Sequence, residues 1–146
     1  MVEFIRRYGL YLAWLVAIVA TSGSLYFSEV RNFVPCALCW WQRIYMYPQV
    51  LILGVASYFG DEKVVRYSLP LSLIGMGVSI YHYTGQKFPE LFPLGVCTGG
   101  VPCTAQYINW LGFITIPFLA LIAFTLISAI LGIKLYADTA ARRRAA

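Results

Sequence analysis

Charge is what this sequence lacks most. Asp, Glu, Lys and Arg make up 12% of its 146 residues, only six side chains are acidic, and histidine occurs once. A soluble domain carries about twice that charge. A chain that is 60% hydrophobic, with a mean hydropathy of +0.72, has more apolar surface than a water-facing fold of this size can hide. The scarcity also removes chemistries. There is no nucleophile–histidine–carboxylate set, no glycine-rich phosphate loop and no pair of carboxylates inside an apolar run. Hydrolase, nucleotide-hydrolysing and proton-pumping readings therefore have no residues to rest on. The basic residues are dispersed apart from a terminal cluster at Arg142, Arg143 and Arg144, which argues against a nucleic-acid partner.

What the chain has is length of apolar sequence. Four runs, Gly9–Phe27, Trp40–Phe59, Tyr67–Tyr83 and Phe113–Ile133, are each about 17–21 residues, enough to cross roughly 30 Å of hydrocarbon as a helix. The expected fold is an all-α integral membrane four-helix bundle over a single domain, residues 1–146, with two cysteine-bearing outer loops. Arg6 and Arg7 before the first run, with Ala20, Thr21 and Ser22 near its end, also fit a signal peptide. The run continues through Leu25, Tyr26 and Phe27, longer than a signal core, and reads as the first helix.

Positive charge orients the bundle. Arg6, Arg7, Lys63, Arg66, Lys134, Arg142, Arg143 and Arg144 fall on one side of a four-span arrangement. Arg31 and Lys87 fall on the other, and Arg43 lies within the second run. The expectation is a multi-pass membrane protein with both termini and the Asp61–Arg66 turn cytoplasmic. All four cysteines then lie outside, where disulfides persist. Cys36 and Cys39 stand where the first outer loop meets helix 2, and Cys97 and Cys103 lie in a second outer loop, Gly85–Gly112.

Two close pairs suit electron transfer better than stapling. On the chain-entropy model a Cys36–Cys39 link stabilises by only about 2 kcal/mol and a Cys97–Cys103 link by roughly 2.5, against about 4.4 for a bridge between the loops. Two spaced pairs can also cage zinc or copper, although a single histidine supplies no wider ligand cluster. A thiolate metal-binding membrane protein and a non-catalytic scaffold are the alternatives to an enzyme.

The first pair sits in Pro35-Cys36-Ala37-Leu38-Cys39-Trp40-Trp41-Gln42-Arg43. Pro favours the first turn of a helix, which puts both thiols among unpaired N–H groups that lower thiol pKa. Arg43, one turn beyond Cys39, favours a Cys39 thiolate and a charged quinone oxygen, or else snorkels to the headgroups. His82, at the outer end of helix 3, is placed level with Arg43 and facing it, either as an interfacial anchor or as a hydrogen-bond donor to a quinone. Trp40, Trp41, Tyr45 and Tyr47 fit an aromatic belt or a ring-binding pocket. Pro89, Pro93, Gly95, Gly99, Gly100 and Pro102 make the second loop turn-rich, and the Cys97–Cys103 segment reads as a compact turn presenting both sulfurs outward.

These residues, together with Gly112-Phe113-Ile114-Thr115-Ile116-Pro117, resemble the DsbB family of quinone-dependent disulfide oxidoreductases, in particular its short-loop BdbC branch. The likeness spans nearly the whole chain. It implies an enzyme of a bacterial inner (cell) membrane that reoxidises a thioredoxin-like thiol oxidase of the DsbA/BdbD type and passes electrons to a membrane quinone, menaquinone or ubiquinone. It further implies that Cys39 engages the quinone ring, that Arg43 and His82 bind the quinone, that Cys97 meets the partner, and that Cys103 exchanges with Cys36. The family's better-known members have a longer second loop; here only five residues separate Cys97 from Cys103, which leaves the order of those two open. A vitamin-K-epoxide-reductase-like enzyme shares the chemistry, but usually places the loop pair before the membrane pair.

Overall fold

A computed structural model describes residues 1–90, 97 and 100–145. Four long helices run in order: α1 (Val2–Leu25), α2 (Ala37–Phe59), α3 (Val65–Lys87) and α4 (Ile116–Ala145). Each packs on the next and α1 also packs on α4, closing an up-and-down bundle. Among the described residues the sole β feature is an isolated bridge between Trp110 and Ile114. The helices outrun the apolar runs because they continue into the polar interface. α1 includes Arg6 and Arg7 and passes into one π-helical turn, Tyr26–Val30. α3 extends beyond Tyr83 through Gln86 to Lys87. α4 starts three residues later than Phe113, with Pro117 in its first turn, where a missing N–H costs nothing.

α1 with its π turn, α3 with its preceding 3-10 turn, and α4 are long and apolar enough to cross a membrane. α2 is as long as α3, and its polar residues turn inward. Gln42 Nε2 donates to Ser79 Oγ at 3.1 Å, and Ser68 Oγ donates to Gln49 Oε1 at 2.5 Å. Ser128 and Ser72 continue this polar seam between α3 and α4. Such bonds hold helices together where lipid leaves no hydrophobic drive to do so. Gly75 lets α3 approach α4: a Cβ there would lie 2.3 Å from the ring of Phe124, itself fully buried.

The two ends of the bundle differ in chemistry. At one, Gly60 ends α2 in the left-handed conformation (φ 69°), and Asp61 caps the next turn by accepting from the Lys63 N–H. Buried Lys134 of α4 ties this end together, donating to the Arg6 carbonyl at 2.7 Å and to Glu62 at 3.0 Å. The cysteines gather at the other end. Pro93, Gly95 and Gly99, expected as turn formers, lie outside the described residues.

Candidate active site

Helix geometry positions the first pair. Cys36 is the N-cap of α2, with extended backbone, and its Sγ accepts from the Cys39 N–H at 3.4 Å, the place a capping oxygen usually takes. Cys39, three residues on, returns to the same face, and the two free sulfurs are 3.0 Å apart. Cys97 and Cys103 form a disulfide with Cα atoms 5.8 Å apart.

Cys103 does not face outward as expected. It is 1% exposed and packs with Cys36 and Leu38, while Cys97 is half-buried. Two side chains of α3 hold the loop there. His82 Nε2 lies 3.2 Å from the Cys103 carbonyl, and Gln86 Nε2 donates to the same oxygen at 3.1 Å and to the Ala105 carbonyl at 3.3 Å. The Cys36 and Cys103 sulfurs and a His82 ring nitrogen all lie within 4.8 Å of one another. That spacing also meets the first requirement of a soft-metal site. Cys103 Sγ is committed to its disulfide and His82 Nε2 to a carbonyl, so the arrangement as it stands suits sulfur exchange.

The expected pairing of Arg43 with His82 is not found. Arg43 turns to α1, where Nε donates to Ser24 Oγ at 3.1 Å and Nη2 to the Ser24 carbonyl at 3.3 Å. Its guanidinium stands 5.4 Å from the Trp40 ring centroid, and Tyr47 donates to Ser24 Oγ from below. His82 points to Cys36, 3.6 Å from Nε2 to Sγ, and is fully buried. Relative position along a helix sets which residues share a face, but not which neighbour that face meets.

The electrostatics also differ from expectation, which placed the thiolate on Cys39. Cys36, at the cap outside α2, is pulled down to about 4 by its hydrogen bond with Cys39. Burial opposes this, and the His82 hydrogen bond assists it. These contacts favour the thiolate form of Cys36.

Beyond Cys39 a cavity of about 560 Å³ opens between α1, α2 and α4. Its polar wall is Ser24, Cys39, Gln42, Arg43 and Tyr47; Val16, Val19, Leu119, Ala123 and Leu126 are among its apolar residues. Small-molecule sites are commonly large, mostly apolar clefts with a few convergent polar groups. His82 is not part of this wall.

Residues 6–134 match the family described as disulfide bond formation protein DsbB. The chain belongs to the DsbB family. It is 61% identical over 118 residues to "Disulfide bond formation protein C" of Bacillus subtilis (strain 168), covering 81% of this chain and 86% of that one. It is 57% identical over 115 residues to "Probable disulfide formation protein C" of Halalkalibacterium halodurans, covering 79% and 84%. It is 43% identical over 136 residues to "Probable disulfide formation protein" of Coxiella burnetii (strain CbuK_Q154), covering 92% of each. No solved structure matches the chain. The DsbB-family membership and the spanning helices make it a multi-pass membrane protein of disulfide bond formation, a disulfide oxidoreductase.

Two residues of the site are not singled out by the sequence alone. Gln86 stands four residues after His82 and so on the same face of α3, a spacing that could have marked it. Ser24 is a small polar residue of a kind scattered through all four helices.

Proposed function

We propose that the protein reoxidises an extracytoplasmic thioredoxin-like dithiol oxidase and delivers the electrons to a membrane quinone, with its termini in the cytoplasm. The observation that carries this is the position of the first pair. Cys36 adjoins the buried sulfur of the loop disulfide on one side, and Cys39 forms part of the cavity wall on the other.

The residues suggest an order. A partner thiolate attacks Cys97, the more accessible loop sulfur, and Cys103 leaves as a thiolate. Cys103 attacks Cys36 of a Cys36–Cys39 disulfide and releases Cys39. The partner's second thiol then frees Cys97 and leaves the partner oxidised. Cys97 recaptures Cys103, and Cys36 departs as a thiolate. Each step exchanges one S–S bond for another, and two electrons come to rest on the Cys36/Cys39 pair. The low pKa of Cys36 favours its departure.

The cavity fits a quinone. Arg43, held by Ser24, would anchor the ring oxygens with Gln42 and Tyr47 beside it, and the apolar walls would take the tail. Bound there, a quinone would supply the acceptor for two electrons and two protons. Arg43 contributes a fixed, permanently charged donor at the end of the cavity that Cys39 borders, and the surrounding apolar side chains keep water from that charge.

The test mixes purified protein with a reduced thioredoxin-like oxidase and either ubiquinone or menaquinone, and follows quinone absorbance. Stoichiometric quinone reduction with partner oxidation, lost in Cys36→Ala, is expected. Partner oxidation that turns over repeatedly, beyond one equivalent per protein, without quinone would overturn the reading.

A further inference from the structure

Beside the sulfurs lies a second, much smaller cavity of about 20 Å³, bordered by Cys36, Cys39, His82, Gln86 and Thr115 among others. A polar cavity needs roughly 10–15 Å³ to hold one water. Three buried polar atoms on these residues, His82 Nδ1, Gln86 Oε1 and Thr115 Oγ1, have no partner among the described residues. Their side chains are more than nine-tenths buried, and leaving such atoms unpaired costs about 1–3 kcal/mol each.

Their hydrogen-bonding capacities are complementary to one molecule. His82 Nε2 faces the Cys103 carbonyl, which can only accept, so the ring hydrogen is on Nε2 and Nδ1 offers a lone pair. Gln86 Nε2 donates to two carbonyls, so its Oε1 is the free acceptor. Thr115 retains a hydroxyl that can donate. A water donates two hydrogen bonds and accepts one from this set, using all three atoms.

We propose that one internal water, held by His82, Gln86 and Thr115, fixes the His82 hydrogen on Nε2, and that this N–H stabilises Cys36 as the leaving thiolate when a disulfide passes between the pairs. The inference rests on the sulfur relay proposed above, but not on the quinone. In the step concerned, the Cys97 thiolate attacks Cys103 Sγ of a Cys36–Cys103 disulfide. The Cys97–Cys103 bond forms, the Cys36–Cys103 bond breaks, and its electron pair goes to Cys36 Sγ, with no net oxidation. His82 keeps its hydrogen throughout and shares it between the Cys103 carbonyl, 3.2 Å from Nε2, and the Cys36 sulfur, 3.6 Å from the same nitrogen, the share to sulfur growing as charge arrives on Cys36. His82 is then a catalytic residue of the sulfur relay, and Gln86 and Thr115 are positioning residues.

The single histidine makes this directly observable. In protein labelled with ring-¹⁵N histidine, the spectrum should show one tautomer, protonated at Nε2, with Nδ1 in the hydrogen-bonded range. Thr115→Val, nearly isosteric, should move Nδ1 toward the unbonded range. Transfer is read separately, without quinone or partner: fully oxidised protein receives one equivalent of dithiothreitol, is quenched and alkylated at intervals, and its disulfides are mapped by mass spectrometry. His82→Leu should slow transfer between pairs about tenfold, the rate equivalent of one hydrogen bond of about 1.4 kcal/mol. His82→Gln, which returns an amide N–H near the Nε2 position, should recover part of that rate. A hydrogen on Nδ1 in the unmodified protein, or wild-type transfer in His82→Leu, overturns the proposal. Normal transfer in the wild type with no quinone reduction would remove the quinone reading and leave this one standing; no transfer between pairs in the wild type would remove both.

Discussion

The acidity of Cys36 can be tested by the shape of a pH profile, and the magnitudes show why rate alone would mislead. At pH 7 about 3% of an ordinary thiol with a pKa near 8.5 is thiolate, and at pH 5 about 0.03%. Cys36, at about 4, is almost wholly thiolate at both. That is a gain of about 30-fold in reactive species at pH 7. Thiolate nucleophilicity falls with pKa, with a Brønsted coefficient of about 0.4–0.5, so so acidic a thiolate is intrinsically about 100-fold slower. The two effects nearly cancel at neutral pH. Burial of Cys36 slows any reagent further.

The ratio of rates at pH 5 and pH 7 removes both complications, because access and intrinsic nucleophilicity enter each rate equally. An ordinary thiol loses about 100-fold between those values, whereas Cys36 should lose less than about twofold. The assay is iodoacetamide labelling of a Cys97→Ser, Cys103→Ser protein resolved by peptide mass spectrometry; serine keeps the carbonyl at position 103 that His82 bonds. Cys39→Ala removes the largest cause of the shift and should return most of the ordinary slope; His82→Leu should return less. The sign also fixes stability: the contribution is fully present above the ordinary value of 9.0 and is lost as pH falls through about 4. A 100-fold fall in the Cys36 labelling rate between pH 7 and pH 5 would refute the reasoning.

Four further outcomes are expected. A membrane-impermeant maleimide on intact cells should label the cysteines after reduction, and labelling only after permeabilisation would reverse the orientation. Arg43→Ala should raise the quinone KM about tenfold or more while the bundle still inserts, with Lys restoring part because it keeps charge but loses the planar fork; unchanged turnover would reduce Arg43 to a tie between α1 and α2. Gly75→Ala should destabilise the bundle by about 1–3 kcal/mol in detergent unfolding, since the added methyl meets the ring of Phe124, and the same substitution should cost much less when made in a Phe124→Ala chain. Cys103→Ala should accumulate a reducible adduct with the partner and Cys97→Ala much less; the reverse distribution would exchange their roles.

The spans were legible in the sequence because hydrocarbon thickness is written directly into run length. The helix ends were not. A hydropathy run stops where the bilayer turns polar, whereas backbone hydrogen bonds carry α3 on through Gln86 and Lys87. That extension matters to the site, since it puts Gln86 on the loop carbonyls. The first pair and Arg43 stand out in the sequence because proline, the Cys-x-x-Cys spacing and helix periodicity are all local. His82 was found but aimed wrongly, because choosing between α1 and α3 as the neighbour of each residue on α2 requires tertiary packing. The thiolate was expected on Cys39 because Arg43 stands at i+4; the guanidinium is instead committed to Ser24, while Cys36 receives the Cys39 and His82 contacts.

The short second loop gains its meaning from these same contacts. With five residues between Cys97 and Cys103, the loop has little chain with which to carry a sulfur from partner to membrane. Two bonds from α3 to the Cys103 carbonyl make such travel unnecessary, because they hold that sulfur within 4.8 Å of Cys36. A disulfide spans only about 2 Å between sulfurs, so exchange then needs a displacement of about 3 Å rather than a swing of the loop. On the proposed reading, the loop disulfide acts as a fixed junction. Cys97 lies on its more accessible side, Cys103 on its buried side, and breaking or remaking the bond between them moves electrons inward without exposing Cys36 to bulk thiols.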